Sequence, residues 1–359
     1  MSKRNAVCLC VDGNMLIPAM FVADAVKSNS LGAADRFDII LFTGPDDVTD
    51  QHRDWMNNRG IIHCQSLDVS GVRDIEIVQE RLSSVTLSKL LLAGHLDGKY
   101  DKLLYLDADL TIHDDVSALF SLDLRGFAMA AVPSGRIWAD KSEAERIAYC
   151  AHFRALGMTE PYRHINSGVL LIDVANWNRD QIASRALDFI RRNPSLCTLP
   201  DEDALNAVLD GRQTELSPVW NMRPFGRWRS KTFDIARPVI VHYIGQAKLW
   251  KRFSGGKHMF AHRSAYRAYE DFLRDTPWKN WLDDQWSFRD VLAGIRFEAK
   301  TLRRSLRGSY PAGTRAGRRR YVEAFRQYCA DGRFADVEQG IVTREGALLR
   351  LKQSWPRNT

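Results

Sequence analysis

KLLYLDADLTIHDD, residues Lys102 to Asp115, sets the reading of this chain. Leu103, Leu104, Tyr105 and Leu106 form an unbroken apolar run, the pattern of a strand buried on both faces of an α/β sheet. The run ends in Asp107-Ala108-Asp109, two carboxylates separated by one small residue. Two acids at the end of a buried strand are unfavourable unless solvent, a basic side chain or a divalent cation neutralises them.

Outward from this stretch, apolar runs alternate with helical patterns. Ala6 to Val11, Phe37 to Thr43 and Gly60 to Cys64 read as strands. Pro18 to Lys27, Asp46 to Asn57 and Leu82 to Leu96 read as the helices between them. Beyond the acidic stretch come the apolar run Gly168 to Val174, helices at Ala183–Arg192 and Asp201–Leu209, and a last strand Val239–Tyr243 that contains His242. Alternation of this kind predicts an α/β fold with a mostly parallel central sheet and helices on both faces. Ligands of such sheets lie beyond the carboxyl ends of the strands, where Asp12-Gly13-Asn14 and Asp107-Ala108-Asp109 both fall.

The chain has 359 residues, 45% apolar and 26% charged, ordinary values for a soluble globular protein. No window reaches the roughly 20 apolar residues of a membrane span, and the apolar run near the N-terminus is broken early by Asp12. The expected location is therefore cytoplasmic. Cys8, Cys10, Cys64, Cys150, Cys197 and Cys329 are scattered without zinc spacing and read as free thiols. The net charge of +7 is uneven: nine Lys/Arg face one Glu between Arg296 and Arg320, which leaves the remainder near neutral at −1. Character changes at about Pro277, so residues 1–276 are read as a catalytic domain and 277–359 as a basic, Trp- and Arg-rich helical extension. Within it, Ser287–Arg307 has an amphipathic pattern, and a final helical piece starts at Tyr321.

The acid pair has two chemical readings. It can hold Mg²⁺ or Mn²⁺ against the phosphates of a nucleotide diphosphate. Alternatively, with Thr111, it matches the D-x-D-x-T of phosphatase-like hydrolases, whose first Asp is a nucleophile. That second motif belongs near the start of its domain and needs paired acids on a later strand. The later pair here, Asp283-Asp284, follows PWKNWL rather than an apolar run. The metal reading gains from VIVHYIGQAKLW: His242 at a strand end is a suitable third ligand. Gly245 allows close backbone approach, and Lys248 supplies positive charge.

Taken together, these motifs resemble the family 8 glycosyltransferases, over roughly Ala6 to Trp250. The matching residues are Asp12 and Asn14 on the first strand, Lys89 before the acid pair, and Leu106-Asp107-Ala108-Asp109. They continue with Asn166-Ser167-Gly168 and the run to Ile172, then Asp201, Glu202, Asp203, Leu205 and Asn206, and finally His242, Gly245, Lys248 and Trp250. The resemblance implies the GT-A fold and transfer of a hexose, galactose or glucose, from a UDP-sugar with retention of configuration. It implies Mn²⁺ or Mg²⁺ held by Asp107, Asp109 and His242. It sets Cys10, Val11, Asp12 and Asn14 along the nucleotide, and Ala108 and Gly245 beside the donor. Lys89 and Lys248 would offset the diphosphate charge, and Asn166, Ser167 and Asp201 would contact sugar hydroxyls. The catalytic set is then Glu202, Asp201 and Lys248, and the acceptor a glycan or glycolipid such as lipopolysaccharide core.

Two positions depart from the family pattern: Glu202 replaces a Gln, and Leu249 replaces a Pro. A carboxylate at 202 either stabilises or attacks oxocarbenium charge, or has turned away to bond a sugar hydroxyl or a lysine. The second is the favoured expectation. A non-catalytic sugar-nucleotide binder with a partner-docking tail is the reading from a different class. For the basic segment, 287–320, the expectations are peripheral contact with an anionic membrane or packing on its own domain or in a homodimer. Nucleic acid is not expected.

Overall fold

The computed structural model describes residues 5–30, 36–44, 46–64, 85–134, 143–223, 235–245, 248–250, 263–285 and 315–342, with a few single positions between them. Seven strands form the central sheet: β1 (Asn5–Cys10), β2 (Phe37–Phe42), β3 (Ile61–Cys64), β4 (Lys102–Leu106), β6 (Met129–Pro133), β7 (Ile165–Asp173) and β8 (Thr214–Glu215). Their order is β3-β2-β1-β4-β7-β6-β8. A separate two-stranded ribbon joins β5 (Leu110–Ile112) to β9 (Ile240–His242).

The sheet is mostly parallel, as the alternation predicts. Within it β7 runs against both its neighbours, pairing Leu106 with Val169 and Ala131 with Leu170. An apolar run such as GVLLID states burial on both faces but not direction, so the reversal is a product of the tertiary pairing. The last strand, β9, pairs with β5, outside the main sheet.

Alternate residues of each strand feed two separate cores, following the period-two geometry of strands. Val7, Leu9, Leu104, Leu106, Val169 and Leu171 face one side; Ala6, Cys8, Leu103, Tyr105, Leu170 and Ile172 face the other. Helix Leu16–Asn29 packs in the first core, and helices Ile182–Arg192 and Pro200–Leu209 pack in the second.

The expected helix at 82–96 is broken. Residues 82–84 lie outside the described residues, and the rest is a turn of α-helix (Val85–Ser88), a 3₁₀ turn (Lys89–Leu91) and another turn of α-helix (Leu92–His95). A tightened turn in mid-helix re-aims its side chains, and here it contains Lys89. The expected helix at 46–57 begins later, at Asp50. Asp47 accepts a hydrogen bond from the Gly44 amide, and Thr49 with His52 forms a capping box.

Most of 287–307, and 308–314, lies outside the described residues. The final helix starts earlier than Tyr321, running Arg315–Asp331, and a short turn follows at Ala335–Glu338. Phe325 and Ala335 join the first core. Asp336 is fully buried and accepts from the Ser217 amide at 2.8 Å, the Ser217 hydroxyl at 2.5 Å and the Trp220 indole at 2.9 Å. Three donors compensate a carboxylate that burial alone makes unfavourable.

Candidate metal and diphosphate site

Two pairings bring the acids and the imidazole together. Where β4 leaves the sheet, the Asp107 amide donates to the Gly168 carbonyl at 2.9 Å. Two residues on, the Asp109 carbonyl accepts from the Tyr243 amide at 2.9 Å, and Leu110 pairs with His242. The chain thus passes from β4 into the β5–β9 ribbon across the acid pair. Candidate ligand atoms of Asp107, Asp109 and His242 lie within 4.8 Å of one another. His242 Nε2 is 3.0 Å from Asp109 Oδ1 and 3.7 Å from Asp107 Oδ2.

Gly168 makes room for this arrangement. A Cβ there would lie 2.2 Å from His242 Cε1 and 2.8 Å from Asp107 Oδ2. Glycine inside a strand often marks such a close approach.

Two lysines hold the carboxylates. Lys89 is buried; its ammonium lies 3.2 Å from Asp107 Oδ1 and 2.8 Å from Asp201 Oδ2, and 4.5 Å from the centre of the Tyr105 ring. Burial works against its charge, but Asp107 and Asp201 outweigh it and hold Lys89 above the ordinary lysine range. Lys248, partly exposed, donates to Asp109 Oδ2. Burial alone would raise the Asp109 carboxyl; Lys248 and His242 reverse that and hold it well below the carboxylate range.

The acids of helix Pro200–Leu209 are set in register with β7 by Asn206. Its amide accepts from the Ile165 amide at 2.7 Å and donates to the Ile165 carbonyl at 3.1 Å. Two residues along β7, Ser167 Oγ donates to Asp201 at 2.7 Å, and Asn166 Nδ2 donates to Glu202 Oε2 at 2.7 Å. Glu202 therefore bonds Asn166, an arrangement the sequence reading did not include. Counted formally over the carboxylates and lysines alone, Asp107, Asp109, Asp201 and Glu202 face Lys89 and Lys248, a deficit of two positive charges beside the His242 imidazole. A hard divalent cation, with two carboxylates and one imidazole as ligands, matches that deficit and that donor set.

Of the other expected residues, Cys10 and Val11 are buried at the end of β1. Burial pushes the Cys10 thiol up, against the pull of Lys89, with Asp107 adding to the rise. Asp12 Oδ1 is buried with no hydrogen-bond partner among the described residues. Asn14 is exposed, Ala108 is buried, and Gly245 has a positive φ of 84°. Thr111, which completes the phosphatase-like motif, sits within β5, where its hydroxyl bonds His113 at 2.8 Å.

Sequence reasoning missed Tyr105 and Asn221. The Tyr105 hydroxyl donates to Asp107 Oδ1 at 2.6 Å; its position in an apolar run disguises a polar tip. Asn221 Oδ1 lies 3.0 Å from His242 Nδ1, and its neighbours Pro218–Trp220 form a short turn without periodicity.

A sequence profile of glycosyl transferase family 8 matches residues 6–254. General stress protein A of Bacillus subtilis (strain 168) is 29% identical over 191 residues, 50% of this chain and 61% of that protein. Lipopolysaccharide 1,2-glucosyltransferase of Escherichia coli (strain K12) is 26% identical over 225 residues, 60% of each chain. Lipopolysaccharide 1,3-galactosyltransferase of Salmonella typhimurium is 25% identical over 208 residues, 54% of this chain and 56% of that one. The chain thus spans about 60% of the length of the first two of these relatives. Among solved structures, the galactosyltransferase LgtC in complex with donor and acceptor sugar analogs superposes with a TM-score of 0.59 at 19% identity, covering 74% of this chain and 95% of that one. The bifunctional glycosyltransferase WbbM superposes with a TM-score of 0.60 at 16% identity, covering 79% and 52%. The fold is accordingly of the GT-A type.

Gly168→Ala tests the packing that builds the site. The added methyl meets His242 and Asp107, so the variant should lose about 1–3 kcal/mol of stability. Mn²⁺ should raise the melting temperature of the native protein, and the variant should lose that rise. Thermal unfolding with and without Mn²⁺ checks both; a native-like response would show that the imidazole has room to spare.

Proposed function

The chain belongs to glycosyl transferase family 8, and from that premise we propose that it transfers galactose or glucose from a UDP-sugar to a glycan acceptor, with retention of configuration. The observation that carries this reading is the convergence of Asp107, Asp109 and His242 at the sheet edge, with Lys89 and Lys248 on the acids.

Asp107, Asp109 and His242 would hold Mn²⁺ or Mg²⁺. A cation there supplies positive charge to the diphosphate, which makes UDP a better leaving group. Lys89 fixes the orientation of Asp107 and Asp201. Lys248 is the more exposed of the two lysines and reaches the site from a loop, so it is free to exchange its carboxylate for a phosphate oxygen as charge develops on the leaving group. Asp12 and Asn14 take the base and ribose, with Cys10, Val11, Ala108 and Gly245 lining the nucleotide. The orphaned Asp12 Oδ1 is an acceptor suited to a uracil N3–H. Ser167, Asp201 and Asn166 face the sugar. Glu202 shares its carboxylate with Asn166, which supports an orienting role over attack on the sugar.

The names of the Escherichia coli and Salmonella typhimurium relatives support lipopolysaccharide core or another surface glycan as acceptor. No helix among the described residues is long and apolar enough to cross a membrane. We assign the catalytic role to residues 1–276 and peripheral contact with the inner face of the cytoplasmic membrane to 287–320. Phe288, Leu292 and Ile295, at helical spacing, are exposed, and Arg296 and Arg303 are exposed beside them. Apolar side chains backed by arginine suit an anionic surface.

Two measurements test this reading. A panel of UDP-sugars with Mn²⁺, read by UDP release, should single out one hexose, and Asp109→Asn should lower that turnover by about 10²-fold or more. Full turnover by Asp109→Asn would remove the mechanism. Separately, the full chain should co-sediment with vesicles containing anionic lipid, and Phe288→Ser with Ile295→Ser should release it. Unchanged sedimentation would place the membrane contact elsewhere.

A further inference from the structure

His242 has two ring nitrogens, and only one can face the acids. Nε2 does so. Nδ1 points the other way, to Asn166 Oδ1 at 3.1 Å and Asn221 Oδ1 at 3.0 Å. Which atom of each amide faces the ring decides where the imidazole carries its hydrogen, and surrounding groups fix both amides.

Asn166 is fixed first. Its Nδ2 lies 2.7 Å from Glu202 Oε2, and its Oδ1 lies 3.3 Å from the Gly168 amide nitrogen. A carboxylate accepts and a backbone N–H donates, so rotating this amide by half a turn would oppose like groups at both contacts. Asn221 is fixed next: its Nδ2 donates to Asn166 Oδ1 at 2.8 Å. Rotated, it would set oxygen against oxygen. Both amides therefore present oxygen to Nδ1. The backbone holds them there: the His242 amide donates to the Met222 carbonyl at 2.8 Å, one residue beyond Asn221. Asn166, Asn221 and His242 are all buried, so water does not substitute for either oxygen at little penalty.

We propose that Asn221 is a positioning residue for His242. With Asn166, itself held by Glu202, it surrounds Nδ1 with acceptors alone, keeps a hydrogen on Nδ1, and so leaves Nε2 as the nitrogen turned to Asp107 and Asp109. A cation between those acids would take the imidazole through Nε2, and groups that fix the far nitrogen typically change metal affinity by about 10- to 100-fold when removed. Glu202 gains a role here that does not involve the reacting carbon: its Oε2 sets the orientation of the first amide. The proposal rests on the reading of Asp107, Asp109 and His242 as a metal site, and it adds the residue that prepares the imidazole.

The test has two parts, both on the full chain without donor or acceptor. In the metal-free native protein labelled with ¹⁵N-histidine, two-bond correlation spectra read which ring nitrogen of His242 carries a hydrogen, the signal being identified by its loss in His242→Gln. Nδ1 should carry one; a bare Nδ1 beside a protonated Nε2 overturns the proposal without any variant having to fold. Mn²⁺ affinity is then read by electron paramagnetic resonance of free Mn²⁺. Asn221→Leu should weaken it about 10- to 100-fold. Native affinity in a folded Asn221→Leu protein also overturns the proposal. Failure of the native chain to bind Mn²⁺ would instead strike the metal reading, and the nitrogen spectra would still report on the amides.

Discussion

The arrangement depends on neutralising carboxylates that sit where a buried strand ends. Asp107, Asp109, Asp201 and Glu202 converge there, and Asp109, Asp201 and Glu202 are almost fully buried. Without compensation such a cluster would favour protonation or unfolding. The chain answers with Lys89 on Asp107 and Asp201, Lys248 on Asp109, the Tyr105 hydroxyl, the Asn166 side-chain amide and the Ser167 hydroxyl. Two negative charges stay uncompensated by side-chain cations in a formal count. A formal deficit of that size, with two carboxylates and an imidazole close together, is the charge and donor set that suits a divalent cation.

That requirement explains several choices of residue elsewhere. Gly168 admits the imidazole to the sheet. Asn206 clamps the helix that bears Asp201 and Glu202 to the start of β7. The 3₁₀ turn at Lys89–Leu91 interrupts a helix so that one lysine reaches two acids. The last of these lowers the regularity of a local element and gains a contact at the site, a pattern expected where a site overrides local preference.

Much of the site was legible in the sequence because its residues stand out against their surroundings. Asp107 and Asp109 interrupt an apolar run, and His242 interrupts another. The strands β1, β2, β3 and β4 were legible for the same reason, being short apolar runs between helical patterns. The direction of β7 and the pairing of β9 with β5 were not, because period and burial say nothing about which strand lies alongside. Short strands such as β6, MAAVP, and β8, two residues long, carry too little pattern to register. Asn221 and Tyr105 were hidden differently: one asparagine in a turn and one tyrosine in a strand look ordinary until their polar atoms are seen to meet His242 and Asp107. The C-terminal region shows the same limit. Its composition marks a change at about Pro277, yet Phe325 joins the first core and the buried Asp336 accepts from Ser217 and Trp220.

The central claim is that one divalent cation is held jointly by the acid pair and the imidazole. The most direct measurement is a crystal of the full chain soaked in Mn²⁺ and recorded at the manganese absorption edge. The account predicts one strong anomalous peak within bonding distance of a carboxylate oxygen from each of Asp107 and Asp109 and of His242 Nε2. A peak away from those three atoms, or none at saturating Mn²⁺, would contradict it.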